Sequence, residues 1–195
     1  AEYKFELPKS HSFTAMVGYN QESKKTSNFY GYVTDLYLND APIIDWANTK
    51  QKLEEEATIW AVQGAFFRLN YDYAGKYLVE VNGRYDGSSK YASDSRWGFF
   101  PSVSGGWRVS EEAFMTNYRE RFGELKLRGS YGILGNQNVD DYQYQTTYNI
   151  TNNAYGFNNV SVAGTGFTFA NKELKWELSK TFNVGVDATF FNNSV

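Results

Sequence analysis

The chain offers few residues that could do chemistry. His11 is its single histidine and cysteine is absent, so a thiolate metal site, a cysteine nucleophile or a disulfide scaffold has nothing to build on. A histidine zinc site or a Ser-His-Asp triad has one imidazole to draw on. That imidazole follows a short turn and reads as a solvated turn residue. Glu54, Glu55 and Glu56 could serve as acid and base carboxylates, but three in a row within a polar stretch read as a solvated charge run. Gly105-Gly106 lacks the Gly-Lys-Ser/Thr of a phosphate cradle and is followed by Trp107; a flat, close-packed strand patch accounts for it. Asp86-Gly87-Ser88-Ser89 reads as a turn, because Asp-Gly is a strong turn signal. No catalytic constellation can be assembled, and an enzyme is not expected.

The informative pattern is one of alternation. Tyr77, Val79, Val81, Gly83 and Tyr85 alternate with Leu78, Glu80, Asn82, Arg84 and Asp86. Trp97, Phe99, Pro101, Val103, Gly105 and Trp107 alternate with Arg96, Gly98, Phe100, Ser102, Ser104, Gly106 and Arg108. Phe182, Val184, Val186, Ala188 and Phe190 alternate with Thr181, Asn183, Gly185, Asp187 and Thr189. Successive side chains on a strand point to opposite faces, so each stretch has one apolar and one polar face.

Trp97 and Trp107 share the apolar face, which at roughly 3.3 Å per residue and a tilt near 40° separates them by about 25 Å along a membrane normal. An outer-membrane barrel has an apolar band about that tall, rimmed by aromatic girdles. Tyr71, Tyr73, Tyr77, Tyr85, Trp97 and Trp107 are the girdle candidates. An antiparallel sandwich with one face on a soluble core also alternates. Its strands, however, usually run about 5–6 residues, and several here are about twice that.

Composition agrees. Of 195 residues, 18% are aromatic, with 16 Tyr and 15 Phe; glycine is frequent at 17 and proline scarce at 3. This suits long strands and tight turns. A net charge of −3 without a basic patch makes nucleic acid an unexpected partner. No run approaches the ~18 apolar residues of a membrane helix, and Ala1-Glu2-Tyr3-Lys4 does not open a signal peptide. Both ends read as cut, as in an internal piece of a longer protein.

Strands are expected over residues 2–7, 11–21, 57–73, 77–86, 95–109, 123–133 and 175–191, about seven in all. Residues 22–56 read mostly as a long loop, as do 87–94 and 134–174, with 141–150 able to prolong a strand beyond the membrane. Pro8-Lys9-Ser10 and Ala74-Gly75-Lys76 are short turns. Ser110-Glu111-Glu112-Ala113-Phe114-Met115 reads as a capped helix start, Ser110 being the cap. Short and long connections thus alternate, as in outer-membrane barrels with short periplasmic turns and longer extracellular loops.

Several segments together resemble one family. Arg84-Tyr85-Asp86-Gly87-Ser88-Ser89-Lys90 is followed by Arg96-Trp97-Gly98-Phe99-Phe100-Pro101-Ser102-Val103-Ser104 and Gly106-Trp107-Arg108-Val109-Ser110-Glu111-Glu112. Then come Leu125-Lys126-Leu127-Arg128-Gly129-Ser130-Tyr131-Gly132, Gly135-Asn136-Gln137, Leu174-Lys175-Trp176-Glu177 and Phe182-Asn183-Val184-Gly185-Val186-Asp187. With Arg68-Leu69-Asn70-Tyr71-Asp72-Tyr73, this ordered set resembles the barrel of SusC/RagA-type TonB-dependent outer-membrane transporters of Bacteroidetes. It covers roughly residues 57–195; residues 1–56 match only loosely. Phe67, Gly105 and Gly129 depart from the pattern without disturbing it.

The resemblance implies an all-β fold: an antiparallel transmembrane β-barrel segment, incomplete, with a short helix in one periplasmic turn. Residues 1–195 would form part of a 22-stranded barrel domain whose plug and remaining strands lie elsewhere. It implies location in the outer membrane of a Gram-negative cell and contact with its lipid. It also implies energy from TonB, a SusD-like surface lipoprotein as lid, no cofactor, and import of oligosaccharides or oligopeptides. In such a membrane the glycosylation-like triplets Asn149-Ile150-Thr151 and Asn159-Val160-Ser161 carry little meaning.

Glu80, Asn82, Arg84, Arg96, Arg108, Lys126, Arg128 and Asp187, with Asp86 and Glu177, would face the lumen. There they would either pair with the plug or line a hydrated interior. Tyr142, Tyr144, Tyr148 and Tyr155 of the long loops would either stack on ligand or pack within the loops. The rival from another class is a soluble all-β glycan-binding module using exposed aromatics.

Overall fold

The computed structural model describes residues 1–36, 47–158 and 160–189. It shows ten elements: β1 (Glu2–Leu7), β2 (His11–Leu36), β3 (Ala47–Tyr73), β4 (Tyr77–Ser88), β5 (Trp97–Arg108), α1 (Thr116–Phe122), β6 (Leu125–Asn136), β7 (Thr147–Phe157), β8 (Val160–Thr168) and β9 (Glu177–Ala188). Seven strands form one antiparallel sheet in the order β1-β2-β3-β4-β5-β6-β9, and β7 and β8 pair only with each other. The expected strands all occur. Phe190 and the end of the last expected strand lie outside the described residues, as does Asn159.

The register carries the alternation across the sheet. Ala15, Leu69, Val81, Val103, Tyr131 and Phe182 form one continuous apolar row. The adjacent polar row runs through Thr14, Asn70, Glu80, Ser104, Ser130 and Asn183. A one-residue slip would bring polar residues such as Asn70, Glu80 or Ser104 into the apolar row, so the register is strongly specified.

The sheet has almost no core. Among the described residues the buried hydrophobic side chains are Tyr91, Phe100 and Val109, while Phe182, Val184 and Val186 each stand more than 60% exposed. A water-soluble sandwich would bury its apolar rows against a second layer; this wall leaves them bare.

The long connection expected over residues 22–56 is instead mostly strand. β2 and β3 run 26 and 27 residues, and their pairing continues well past the last β3–β4 pair, Val62 with Ser88. Residues 23–36 of β2 therefore extend as a two-stranded ribbon, roughly 45 Å long at about 3.3 Å per residue. Glu54, Glu55 and Glu56 are exposed on it. A ribbon wetted on both faces needs no apolar alternation, so its sequence looks like a loop.

Three smaller expectations are also revised. The long loop expected over residues 134–174 contains the β7–β8 hairpin; residues 141–146 turn, and β7 starts that separate hairpin at Thr147 rather than prolonging a wall strand. Asp86, Gly87 and Ser88 belong to β4 and are not a turn. Between β5 and β6, two 3-10 turns (Val109–Glu111 and Ala113–Met115) precede α1, and Ser110 is buried with its Oγ unpaired rather than capping a helix.

Candidate functional site: an apolar wall with two rims and a polar face

At the short-turn end one register row joins His11, Tyr73, Tyr77, Trp107 and Leu127. The rings of His11 and Tyr73 lie 4.6 Å apart, Tyr73 and Tyr77 6.2 Å, and Tyr77 and Trp107 6.4 Å. His11 Nδ1 also meets the Tyr71 hydroxyl at 2.9 Å. His11 is thus a half-buried member of this aromatic row, not a solvated turn residue. The sequence signal was its parity: it falls on the same face as Phe13 and Ala15.

Glu112, from the connection below β5, closes this rim from beneath. Its carboxylate accepts bonds from the Tyr77 hydroxyl (2.7 Å), Trp107 Nε1 (3.2 Å) and Lys76 Nζ (3.2 Å). Those three donors hold its carboxyl below the usual carboxylate range, Tyr77 contributing most. At the long-loop end, Tyr85 and Trp97 stack at 5.0 Å. All six girdle candidates therefore lie on one face, with Trp97 and Trp107 at opposite ends of β5. Between the rims Gly105 and Gly129 are paired. A Cβ on Gly105 would meet nothing closer than 4.0 Å, so the pair leaves a shallow apolar groove rather than a close-packed patch.

The other face is polar and organised in pairs. Arg84 grips Asp86 with two bonds of 3.0 Å, reaches Asn20 Oδ1 at 3.3 Å and lies 5.4 Å over the Phe66 ring. Such a forked pair is directional and strong for its exposure. Asp86 fits because its partner across the sheet is Gly64: a Cβ there would occupy the place of Asp86 Oδ1. Phe66 likewise lies over Gly18. Phe66 and Phe100 bring aromatic rings to the polar face; strict alternation had no reason to single them out.

Nearer the short turns, Arg68 donates to Asn82 (2.7 Å) and Asn82 to Glu80 (2.8 Å), while Arg128 pairs with Asp187 at 3.1 Å. Glu80, Lys126 and Arg128 join Asn70, Ser104 and Asn183 around a concavity of about 530 Å³. Arg108 sits at the lower edge, 2.6 Å from Glu124 and 3.5 Å from Glu111. Arg96 stands just before β5 rather than within the wall, its carbonyl accepting from Trp176 Nε1 at 3.0 Å.

The long-loop end is locked by side chains. Trp176 packs on Tyr91 and Phe100, each with ring centroids at 5.1 Å. Tyr91 is fully buried, donates to the Asn136 carbonyl at 3.2 Å, and has its hydroxyl pKa raised by burial and then by Glu177. Lys90 ties Val139 and Asp141. The Tyr142 hydroxyl accepts from Ile59 N–H (2.8 Å) and donates to Ile59 C=O (3.2 Å), sealing the β3 edge where β4 has ended. Of the loop tyrosines, Tyr142 is therefore committed to the scaffold through its hydroxyl and Tyr144 is half-buried. Tyr148 and Tyr155 stand exposed on the β7–β8 hairpin.

A family profile described as "TonB dependent receptor-like, beta-barrel" matches residues 1–195. The chain belongs to the TonB-dependent receptor β-barrel family. TonB-dependent receptor P26 of Formosa agariphila is 34% identical over all of this chain and 20% of its own length. TonB-dependent receptor SusC of Bacteroides thetaiotaomicron is 37% identical over 74% of this chain and 15% of its own. The fold matches a chain of the RagAB peptide transporter with a TM-score of 0.87 at 25% identity, over 98% of this chain and 21% of that one. This TonB-dependent receptor segment thus spans about a fifth or less of the length of those relatives. The match also reaches residues 1–56, where the sequence resemblance was loose.

Proposed function

We propose that this segment is barrel wall in an outer-membrane, TonB-coupled importer of large nutrients, oligosaccharides or oligopeptides, working with a SusD-like surface lipoprotein. The observation that carries the reading is the bare apolar face, rimmed at both ends by aromatic rows, in a chain of this family. Lipid is the environment that makes such a face favourable. The RagAB relative is a peptide transporter, which supports the oligopeptide class; the oligosaccharide class rests on the sequence resemblance.

On this reading the polar face looks into the lumen. Glu80, Asn82, Lys126 and Arg128 would meet the plug, and Arg84 with Asp86 would stiffen the wall nearer the outside. Tyr148 and Tyr155 are the loop tyrosines best exposed to meet ligand. Seven strands leave two open edges, which lipid cannot satisfy, so transport belongs to the full-length protein. The soluble glycan-binding alternative shares the exposed aromatics but would need the apolar rows buried, and they stand largely exposed.

The test is to delete the full-length gene and measure growth on defined oligosaccharides and on peptides as sole nutrient, with the tagged protein tracked by fractionation. Loss of growth on one class, with protein in the outer membrane and a lipoprotein co-purifying, is the expected result. Recovery in the soluble fraction would overturn the reading.

A further inference from the structure

The connection from β5 to β6 is longer than a hairpin needs, and its exposed residues include one large aromatic side chain at the rim. Phe114 stands 71% exposed, and its ring is in no aromatic pair among the described residues. Two residues earlier, Glu112 is held against the apolar face by the Tyr77 hydroxyl and Trp107 Nε1. The Met115 N–H bond to the Glu112 carbonyl at 2.9 Å keeps the intervening turn tight. Phe114 therefore lies two residues from a side chain bonded to Tyr77 and Trp107 of the lower aromatic row.

We propose that the Ala113–Met115 turn docks on the periplasmic leaflet, with the Phe114 ring inserted at the boundary between headgroups and acyl chains. This rests on the membrane-wall reading above and adds a specific lipid contact to it. The occupant is lipid because the site continues the girdle, the surface on which that reading places lipid. The chemistry also suits lipid better than an anionic ligand: residues 109–124 carry Glu111, Glu112, Glu120 and Glu124 against Arg119 and Arg121, so attraction comes from the ring rather than from charge. An aromatic side chain at a bilayer boundary is favoured there, and burying it removes apolar surface from water.

The experiment places a nitroxide on single cysteines in a cysteine-free full-length protein, reconstituted in phosphatidylethanolamine/phosphatidylglycerol vesicles. Three positions are compared: Phe114→Cys, Val103→Cys in the apolar row, and Lys9→Cys in a short turn. Collision with dissolved oxygen reports lipid, and collision with a water-soluble nickel chelate reports water. The expected result is that position 114 prefers oxygen, as position 103 does, while position 9 prefers nickel. If 103 prefers oxygen and 114 behaves like 9, the docking proposal is overturned and the membrane reading stands. If 103 itself prefers nickel, the membrane reading falls and the proposal with it. Phe114 is exposed enough for its substitution to leave the wall folded.

Discussion

Glu111 and Glu112 are consecutive in the chain and fastened to opposite faces of the wall. Glu112 takes bonds from Tyr77 and Trp107 on the apolar face. Glu111 pairs with Arg108 at 3.5 Å and with Arg119 at 2.6 Å, and Arg108 shares its register row with Lys126 on the polar face. The two carboxylates straddle the strand end and tie the connection to both faces of the sheet.

The Glu112 contact should be visible in the pH dependence of stability. Hydrogen bonds from Tyr77, Trp107 and Lys76 lower its folded pKa. A lowered carboxylate pKa stabilises the fold fully above the unfolded value of about 4.3, and that stabilisation is lost as pH falls through the folded value. Glu112→Gln in the full-length protein should unfold more easily than the parent at pH 7, and the difference should shrink once the pH drops below about 4. Thermal unfolding in detergent at several pH values checks this; a gap unchanged at pH 3 would rule out the charge as its source.

Depth along the wall should set the cost of a charge on the apolar face. Val103 lies in mid-strand, whereas Leu127 is two residues from the start of β6 and pairs with Trp107. Val103→Arg should cost about 2–4 kcal/mol and Leu127→Arg about 0–1 kcal/mol. Unfolding of the full-length protein from lipid vesicles measures both. Equal costs would contradict a lipid-facing row.

Gly64 should behave as part of the Arg84–Asp86 pair. A methyl at Gly64 collides with Asp86 Oδ1, so Gly64→Ala should displace the carboxylate and break the fork. We expect a loss of about 1–3 kcal/mol, since Asp86 is only 8% exposed and would keep a poorly paired oxygen. In a Gly64→Ala/Asp86→Ala double-mutant cycle the two losses should fall well short of adding. Full additivity would mean the glycine serves some other end.

Tyr142→Phe should cost about 1 kcal/mol and act locally. Its hydroxyl is bonded to both the N–H and the C=O of Ile59. Hydrogen exchange at the Ile59 amide should accelerate while the amides of the β3–β4 pairing stay protected. Unchanged exchange at Ile59 would show that the edge finds water without loss.

The wall was legible because period-two alternation is imposed residue by residue: an apolar face and a polar face leave their mark on Tyr77 through Asp86, Trp97 through Arg108 and Thr181 through Asp187. The seven strands of the main sheet, its apolar and polar rows and the family resemblance follow from such local constraints. What tertiary structure alone decided lies where the environment does not alternate. The β2–β3 ribbon is wet on both faces, so only pairing across the hairpin reveals residues 23–36 as strand. His11 joined the aromatic row through Tyr71 and Tyr73, 60 or more residues away in sequence. Asp86-Gly87 has the composition of a turn but was drawn into β4, because Gly64 opposite leaves room for the carboxylate and Arg84 neutralises it. Local sequence sets which face a side chain takes; which distant residue receives it depends on chain segments that meet only when the sheet assembles.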